Sequence, residues 1–375
     1  NISAFICVNL WLNYYNIIDF LHVRQIIKKE YKGESFSRFH YNSRDGAWNI
    51  RYTMNLNSKT VFILFCFAIF MNLIWGCAMA PKKLLIEDLS RSFKEGDIIN
   101  TKTSLVVSFE ELISDLNRAK VVYVGEKHMD SAHHKIQLKI TKELINQHPE
   151  LVVGMEAFDC SYQKILDMWS AGKLDEKGFL ERTHWYANWK FNFELYRDIL
   201  AFIKEKHIGL IGLNIPSHIP PKIAVGGIES LSGNEKKYLP KKIDTTNADH
   251  RAYIEEIFKK HKIKGRESFE HFYMVQCVWE ETMAESITLY LKKASMMMVL
   301  VGNGHIIRKF GIPDRAFGRN GAAFRTILLA PAGSKAELSF ADYIWVTPPI
   351  KKHNMRHVES RKMKVQSHHP VPDMR

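Results

Sequence analysis

From residue 120 onward, short apolar runs alternate with longer amphipathic stretches, and this alternation limits the fold more than any other feature of the sequence. Strands buried on both faces form short apolar runs, whereas helices that cross between parallel strands have one apolar face. The pattern therefore predicts a three-layer α/β/α fold with a mainly parallel sheet. The predicted strands are residues 121–125, 151–155, 208–213, 297–302, 324–330 and 343–347.

Crossover helices are predicted at residues 133–147 and 193–207. Residues 219–293 contain no convincing strand, and a structureless loop of that length would be unusual in a compact domain. We expect them to form a helical lid subdomain over one end of the sheet. Its predicted helices are residues 234–239, 248–262 and 269–293.

Residues 54–76 have the form of a bacterial lipoprotein signal peptide. Lys59 gives a positive start, and an apolar run of about 15 residues follows, which is short for a transmembrane helix. The run closes on Gly76 and Cys77, which resembles the lipobox in which the cysteine is lipidated. An apolar core segment or a signal anchor is the alternative. We expect a lipid anchor at Cys77 to hold the protein in a bacterial cell envelope, at the periplasmic face of the outer membrane.

The rest of the chain is expected to contain one domain with further segments before and after it. Residues 1–53 precede the first methionine and are expected to be an over-extended translation start or a disordered extension, with a real cytoplasmic extension that has a helix at 10–27 as the alternative. Residues 77–119 are expected to be a linker and lead-in to a domain at 120–350. Residues 351–375 are expected to be a solvated, basic, His-rich tail.

The distribution of charge argues against a nucleic-acid partner. Net charge is +13, but residues 77–350 carry only +4, because the first 76 residues carry +4 and the last 25 carry +5. Binding of nucleic acid would require a basic surface on the folded domain. Two cysteines, Cys160 and Cys277, follow Cys77, and they could either pair in an oxidising compartment or stay as thiols.

Polar residues follow four of the predicted strands, where ligands bind in an open parallel sheet. Glu126 and His128 follow the first strand, Glu156 the second, Asn214 the third and His305 the fourth. Glutamates with imidazoles could hold a divalent metal or act as general acid and base. Histidine with aromatic residues could instead bind haem. Residue types alone leave both chemistries open.

Two neighbouring features could add to this set. His133 and His134 open the first crossover helix, where helix capping and surface exposure are the simpler explanations. An aromatic segment between the second and third strands contains Trp185, Tyr186 and Tyr196. Dense aromatic residues are more often core than cofactor site. Their position before a crossover helix nevertheless places them near the strand ends.

These motifs together resemble the ChaN-like haem-binding, iron-regulated lipoproteins, which are grouped with the Tiki and erythromycin-esterase-like proteins. The matching stretches occur in order over about residues 120–330: Val124-Gly-Glu-Lys-His-Met-Asp-Ser-Ala-His-His134, Gly154-Met-Glu-Ala-Phe158, Trp185-Tyr186, Tyr196-Arg197, Asn214-Ile-Pro216, Trp279-Glu-Glu-Thr-Met-Ala284, Gly302-Asn-Gly-His305 and Gly311-Ile-Pro313. Glu280 stands where the family pattern leads us to expect aspartate.

The resemblance implies an α/β sandwich with a helical lid, and haem carried at a homodimer interface. The haem is expected to be b-type and non-covalent, since the chain has no Cys-x-x-Cys-His motif. Tyrosine is implied as the iron ligand, and we prefer Tyr186 and Tyr196 to Tyr162 and Tyr273. The remaining residues expected at the haem site are Trp185, His128, His133, His134 and His305.

Two functions are therefore predicted. The first is a haem-binding envelope lipoprotein in haem and iron acquisition. The alternative is a hydrolase in which Glu126, Glu156, His128 and His305 are catalytic residues or ligands of a divalent metal. A satisfied polar network that binds no ligand is the third reading of the same residues.

Overall fold

The computed structural model describes residues 81–260 and 268–350. The predicted signal peptide, Cys77 and the His-rich tail lie outside the described residues. The strands are β1 (Leu84–Ile86), β2 (Arg91–Phe93), β3 (Ile98–Asn100), β4 (Leu105–Val107), β5 (Val121–Glu126), β6 (Val152–Asp159), β7 (Gly209–Asn214), β8 (Met297–Gly302), β9 (Phe324–Pro331), β10 (Lys335–Ala336) and β11 (Tyr343–Thr347). The α-helices are α1 (Phe109–Leu116), α2 (Ser131–Gln147), α3 (Gln163–Ser170), α4 (Glu176–Thr183), α5 (Trp185–Asn188), α6 (Arg197–Glu205), α7 (Ile219–Gly226), α8 (Gly233–Lys236), α9 (Ala248–Lys260), α10 (Phe269–Leu291) and α11 (Ile312–Asn320).

The main sheet has eight strands in the order β4-β3-β11-β9-β5-β8-β6-β7. The six strands from β11 to β7 are parallel to their neighbours, and they are the six strands predicted from the apolar runs. Strands β3 and β4 extend the β11 edge in antiparallel pairs. The predicted α/β fold with a mainly parallel sheet is confirmed.

Both faces of the parallel sheet are covered by helices. Successive side chains of a strand point to opposite faces, so Val122 of β5 packs in one cluster with Leu144 of α2, and Tyr123 packs in another with Ile287 of α10. Helices α1, α2, α3 and α6 contribute to the first cluster, and α10 and α11 to the second. The fold therefore has three layers, with a core on each side of the sheet.

Residues 81–119 differ from the expected linker and lead-in. They supply β1 to β4 and α1, and β3 pairs with β11 inside the main sheet, while β1 lies between β10 and β2 in a second, three-stranded sheet. Helix α1 begins with a capping box, in which the Ser108 side chain accepts from the Glu111 N–H and the Glu111 carboxylate accepts from the Ser108 N–H. Strands of three residues are too short to show the period-2 pattern that identifies a strand in a sequence.

The predicted lid region is helical, as expected. Within the described residues it contains α7 to α10, and the 23-residue α10 runs along the sheet beside β7. Cys160 is exposed, Cys277 is buried, and both are free thiols. Across residues 81–260 and 268–350, no helix is long and apolar enough to cross a membrane.

Candidate functional site

Strand order brings the predicted polar residues to one edge of the sheet. Strands β5, β8, β6 and β7 are consecutive neighbours, so Glu126, Gly302 and Asn214 end strands at one edge of the sheet although they are distant in the chain. Glu156 lies inside β6 rather than directly after it, because β6 continues to Asp159 with a shift of register beyond Met155. The shift leaves the Glu156 carboxylate at the same edge, where its Oε2 accepts from the Gly302 N–H at 2.7 Å.

Glu126 is a buried carboxylate with four side-chain partners. Its Oε1 accepts from the Tyr196 hydroxyl at 2.6 Å and from Nδ1 of His128 at 2.8 Å. Its Oε2 accepts from Nε2 of Gln137 at 2.8 Å and lies 3.3 Å from Nδ1 of His134. Burial alone would raise the pKa of Glu126, but the hydrogen bonds from His128 and His134 hold it far below its usual range. The group is therefore an ionised, fully satisfied anion.

His128 presents its second ring nitrogen to open space. The ring packs against Trp189 and Phe191, with centroids 4.8 and 4.9 Å away, and 28% of the side chain is exposed. Burial lowers the pKa of His128, and the hydrogen bond to Glu126 outweighs this and raises it. A Cβ atom at Gly302 would lie 3.2 Å from Nε2, so only glycine leaves that side of the ring uncrowded.

His305 lies between two carboxylates. Its Nε2 is 3.4 Å from Oε1 of Glu156, and its Nδ1 is 3.4 Å from Oε1 of Glu280, which is fully buried on α10. Burial lowers the pKa of His305, but the charges of Glu156 and Glu280 raise it to about 10. At neutral pH this imidazole is a cation that joins α10 to the strand ends.

The network continues away from the strand ends through residues that the sequence reasoning missed. Oε2 of Glu280 accepts from Nε of Arg315 at 3.2 Å and lies 3.2 Å from Nε2 of His250. Arg315 also pairs with Glu281, whose other oxygen is 2.5 Å from Nη1 of Arg319. Glu280 stood in the Trp279–Ala284 motif, which was a usable signal, whereas Arg315 lay outside the quoted motifs. Which of their side chains meet is decided by how α10 packs on α11.

Two of the predicted histidines, His133 and His134, are buried, and both ring nitrogens of each already have partners within the protein. Nδ1 of His133 accepts from the Lys127 N–H at 2.9 Å, and its Nε2 is 3.2 Å from the Thr347 hydroxyl. Burial lowers the pKa of His133 to about 4, so its ring is neutral. His134 has both ring nitrogens facing oxygen acceptors, since Nε2 donates to the His128 carbonyl at 3.1 Å. These contacts close the turn that carries His128.

The predicted aromatic residues divide between core and surface. Trp185 is buried, and its Nε1 donates to the Phe191 carbonyl at 2.8 Å, which fixes the segment beside His128. Tyr196 is 1% exposed and donates to Glu126. Tyr186 is 59% exposed on α5. Ligation of iron by Tyr196 would require loss of its hydrogen bond to Glu126.

A cleft of about 360 Å³ opens at this edge of the sheet, between the strand ends and helices α7 and α10. It joins a second cavity of about 250 Å³ through three shared residues, His128, Phe272 and Gln276. Among the described residues that line the two spaces, none is tyrosine, lysine or arginine. The residues of the larger cleft are His128, Glu156, Ala157, Asp159, Asn188, Trp189, Phe191, Asn214, Ile215, Ser217, Pro220, Pro221, Ala224, Phe272, Val275, Gln276 and Trp279.

Comparison with known proteins gives the family. The family model described as haem-binding uptake, Tiki superfamily, ChaN matches residues 112–316. The chain belongs to the ChaN family. No curated protein sequence matches it.

One solved structure agrees with the fold of this ChaN-family domain. A structure described as cofacial heme binding to ChaN of Campylobacter jejuni is similar with a TM-score of 0.54 and 21% identity, over 66% of this chain and 95% of that one. An erythromycin esterase variant in its open conformation is similar with a TM-score of 0.38 and 13% identity, over 63% of this chain and 76% of that one.

The residues at the cleft suit haem. A porphyrin needs flat apolar walls and an iron ligand. Trp189, Phe191, Phe272 and Trp279 provide aromatic walls, and Nε2 of His128 provides a nitrogen donor at the cleft. The four residues predicted to hold a divalent metal form two separate pairs instead. Glu126 pairs with His128, and Glu156 pairs with His305. In the described part of the chain, no group of three or more His, Cys, Asp or Glu side chains is arranged to hold a metal ion.

Proposed function

We propose that this ChaN-family protein binds b-type haem non-covalently in the cleft between the strand ends, α7 and α10. The observation that carries the proposal is the combination of four aromatic walls with the Nε2 atom of His128 at the same cleft. The apolar walls bury the macrocycle, which contributes roughly 25 cal/mol for each Å² removed from water.

Polar groups at the cleft suit the two propionates of haem. The Asn214 amide lies along it, donates one N–H to the Glu156 carbonyl and has a second N–H for a ligand. Asn188 and Ser217 also line the cleft, but Asn188 donates to Tyr162 and Thr183, and Ser217 donates to Asn188. No lysine or arginine of the described residues lines it. Asp159 and Glu156 line the same cleft and, as carboxylates, repel propionates. We infer that a propionate lies toward the Asn214 amide and not against the carboxylates of Asp159 and Glu156.

Titration of the purified protein with haemin tests the proposal. We expect a saturable change of the Soret band with one haem per chain. Phe272→Ala removes an aromatic wall shared by both cavities and should weaken binding, whereas Phe317→Ala, on the exposed side of α11, is the matched control and should not. A flat titration of the unmodified protein would contradict the proposal.

The comparisons do not favour the hydrolase alternative. That alternative requires Glu126 or Glu156 as a base, yet Glu126 already accepts from Tyr196, His128 and Gln137. A carboxylate with a strongly lowered pKa and saturated oxygens is a poor general base. Glu126 fits better as a fixed anion that holds its neighbours.

For the cellular role, we propose a lipid-anchored envelope protein that takes up haem for iron acquisition. The support is the signal-like segment that ends at Cys77, outside the described residues, together with the family. Labelling cells with a palmitate analogue should mark the protein, and Cys77→Ser should abolish the label while Cys160→Ser, at an exposed thiol, keeps it. Equal labelling of both variants would exclude the anchor.

We also propose that haem is carried by a homodimer, which the family resemblance implies. Sedimentation of the purified protein with and without haemin measures this directly. We expect a dimer in the presence of haemin. A monomer at saturating haemin would reject the dimer and leave haem binding intact.

A further inference from the structure

We propose that the edge strand β4 pairs with β4 of a second copy of this chain, antiparallel and about a two-fold axis at Val106. The contact joins the main sheets of the two copies into one continuous sheet. It lies away from the cleft, because no residue of β3 or β4 lines either cavity. The proposal is therefore independent of the proposed haem function and of a dimer that forms around haem.

Strand β4 is the outermost strand of the main sheet, and its sequence is apolar. Among the described strands it pairs with β3 alone, so one row of its backbone N–H and C=O groups faces away from the sheet. Leu105 is 59% exposed, Val106 is 47% exposed, and Val107 is half-buried. An exposed apolar edge of this kind is a template for pairing with another strand.

The other sheet edges in the described part of the chain are protected against such pairing. Strand β7, at the opposite end of the main sheet, is buried over residues 210–213 and is contacted by α3 and α10. The two edge strands of the small sheet each carry an exposed basic residue, Arg91 on β2 and Lys335 on β10. Covering helices and charged side chains are the usual protections of an edge. Strand β4 has neither, which indicates that this edge has a partner.

The residues around β4 are complementary to themselves under a two-fold axis at Val106. Antiparallel pairing about this axis places Leu105 of one copy opposite Val107 of the other, and Val106 opposite its own counterpart. Lys102 stands four positions before Val106, and Glu110 stands four positions after it. The same axis therefore brings Lys102 of each copy toward Glu110 of the other. This charge complementarity identifies a second copy, and not an unrelated strand, as the partner.

Lys102 and Glu110 are available for this contact. Both residues are exposed, and neither forms an ion pair with another described residue. The Lys102 N–H donates to Oδ1 of Asn100 at 3.0 Å, and Glu110 lies in the first turn of α1 beside the capping box at Ser108. These local contacts hold the two residues at opposite ends of β4, as a symmetric contact requires.

Pairing at β4 also extends the core on each face of the sheet. Side chains alternate between the faces, so Val106 shares a face with its neighbour Ile99, and Val107 shares the other face with Ile98. Ile99 belongs to the cluster that includes β1 and β2, whereas Ile98 and Val107 belong to the cluster on the opposite face. Burial of exposed apolar surface on both faces favours association. A three-residue strand makes a small contact, which is typical of a weak and reversible association.

Sedimentation of the haem-free protein over a range of concentrations tests the contact. We expect the weight-average mass to rise from that of a monomer toward that of a dimer as the concentration increases. Leu105→Lys should weaken this association by roughly 10-fold, because the symmetric contact loses the Leu105 pair twice. Leu289→Lys, at a leucine of α10 with the same 59% exposure, is the matched control and should leave it unchanged. A monomer at every concentration, or equal association of the two variants, would overturn the proposal.

Charge reversal distinguishes this two-fold contact from a general loss of structure. Lys102→Glu places two carboxylates near each other at both ends of the interface and should weaken association, because like charges repel. Addition of Glu110→Lys to that variant restores opposite charges and should recover most of the loss. Circular dichroism of each variant checks that the fold is intact. An unchanged single variant, or a double variant that does not recover, would show that β4 does not pair about this axis.

Discussion

Buried charges in this domain are retained only where several partners meet them, and Glu126 shows the rule most clearly. Its two oxygens face Tyr196, His128, Gln137 and His134. An unpaired carboxylate in the interior would cost several kcal/mol. The four partners therefore make a carboxylate with 4% exposure compatible with a stable fold, and they also fix the ring of His128.

Removal of one of these partners gives a measurable loss of stability. Tyr196→Phe keeps the ring in the core and deletes the hydroxyl that donates to Glu126. We expect the free energy of unfolding to fall by about 2 kcal/mol, since the acceptor is charged. Tyr186→Phe, at a 59% exposed side chain, is the control and should change it little. Urea denaturation measures both, and equal values for the two variants would contradict the expectation.

The pKa of His305 predicts a loss of stability in alkali. The folded state raises this pKa from 6.5 to about 10, so the ion pairs with Glu156 and Glu280 contribute fully below pH 6.5 and are lost as the pH rises through 10. The difference in unfolding free energy between the unmodified protein and His305→Gln should be large near neutral pH and shrink toward alkaline pH. A difference that stays constant would exclude the charged imidazole.

At the scale of elements, glycines allow the strand ends and their loops to approach one another. A Cβ at Gly125 would lie 2.2 Å from Oδ1 of Asn303, and one at Gly302 would crowd His128. Both glycines stand three residues before a histidine of the site. In each Gly-x-x-His motif, the glycine therefore allows close packing, and the histidine supplies a ring of the site.

Gly302 and Gly233 form a pair for a test of this packing. Gly302→Ala places a methyl group 3.1 Å from Cε1 of His128, so the ring must move and haemin affinity should fall, with a stability loss of about 1 kcal/mol. Gly233→Ala meets nothing within 4 Å, lies outside both cavities and should lower neither quantity. Haemin titration and urea denaturation of both variants measure the two effects. Equal haemin affinity in the two variants would show that the ring is not crowded.

Arg315 joins α11 to α10 through buried charges. Its side chain is 7% exposed and pairs with both Glu280 and Glu281. Arg315→Met would leave those carboxylates short of a partner, and we expect a loss of about 3 kcal/mol in unfolding free energy. Lys335→Met removes an exposed pair with Glu87 and should cost less than about 1 kcal/mol. Chemical denaturation ranks the two variants, and a reversed ranking would refute the argument.

At the scale of the molecule, the cleft is built from the sheet edge and two lid helices, so a bound ligand should stabilise all of them together. Haemin at 100 times its dissociation constant should add about 2.7 kcal/mol to the unfolding free energy. Metal-free protoporphyrin is the control, and it should add less because it has no iron to bond to a protein ligand. Thermal unfolding measures both, and an unchanged midpoint with haemin would contradict binding to the folded state.

Much of the architecture could be predicted from the chain alone. The six parallel strands are mostly buried apolar runs, and such runs are recognisable because burial on both faces removes most polar residues from the strand. The three-residue strands β1 to β4 could not be found in this way, since their side chains are too few to form a pattern. Glu126, Glu156, His128 and His305 could be selected because they follow or end strands that share one edge.

By itself, the sequence determined the residue types at the strand ends and their order along the chain, because local periodicity is a property of neighbouring residues. Only the tertiary structure decided their partners. Tyr196 meets Glu126 from 70 positions away, and Gly302 meets Glu156 from 146 positions away. Such pairs depend on strand order and on the face to which each side chain points. That geometry buries Tyr196 and leaves Nε2 of His128 open to the cleft.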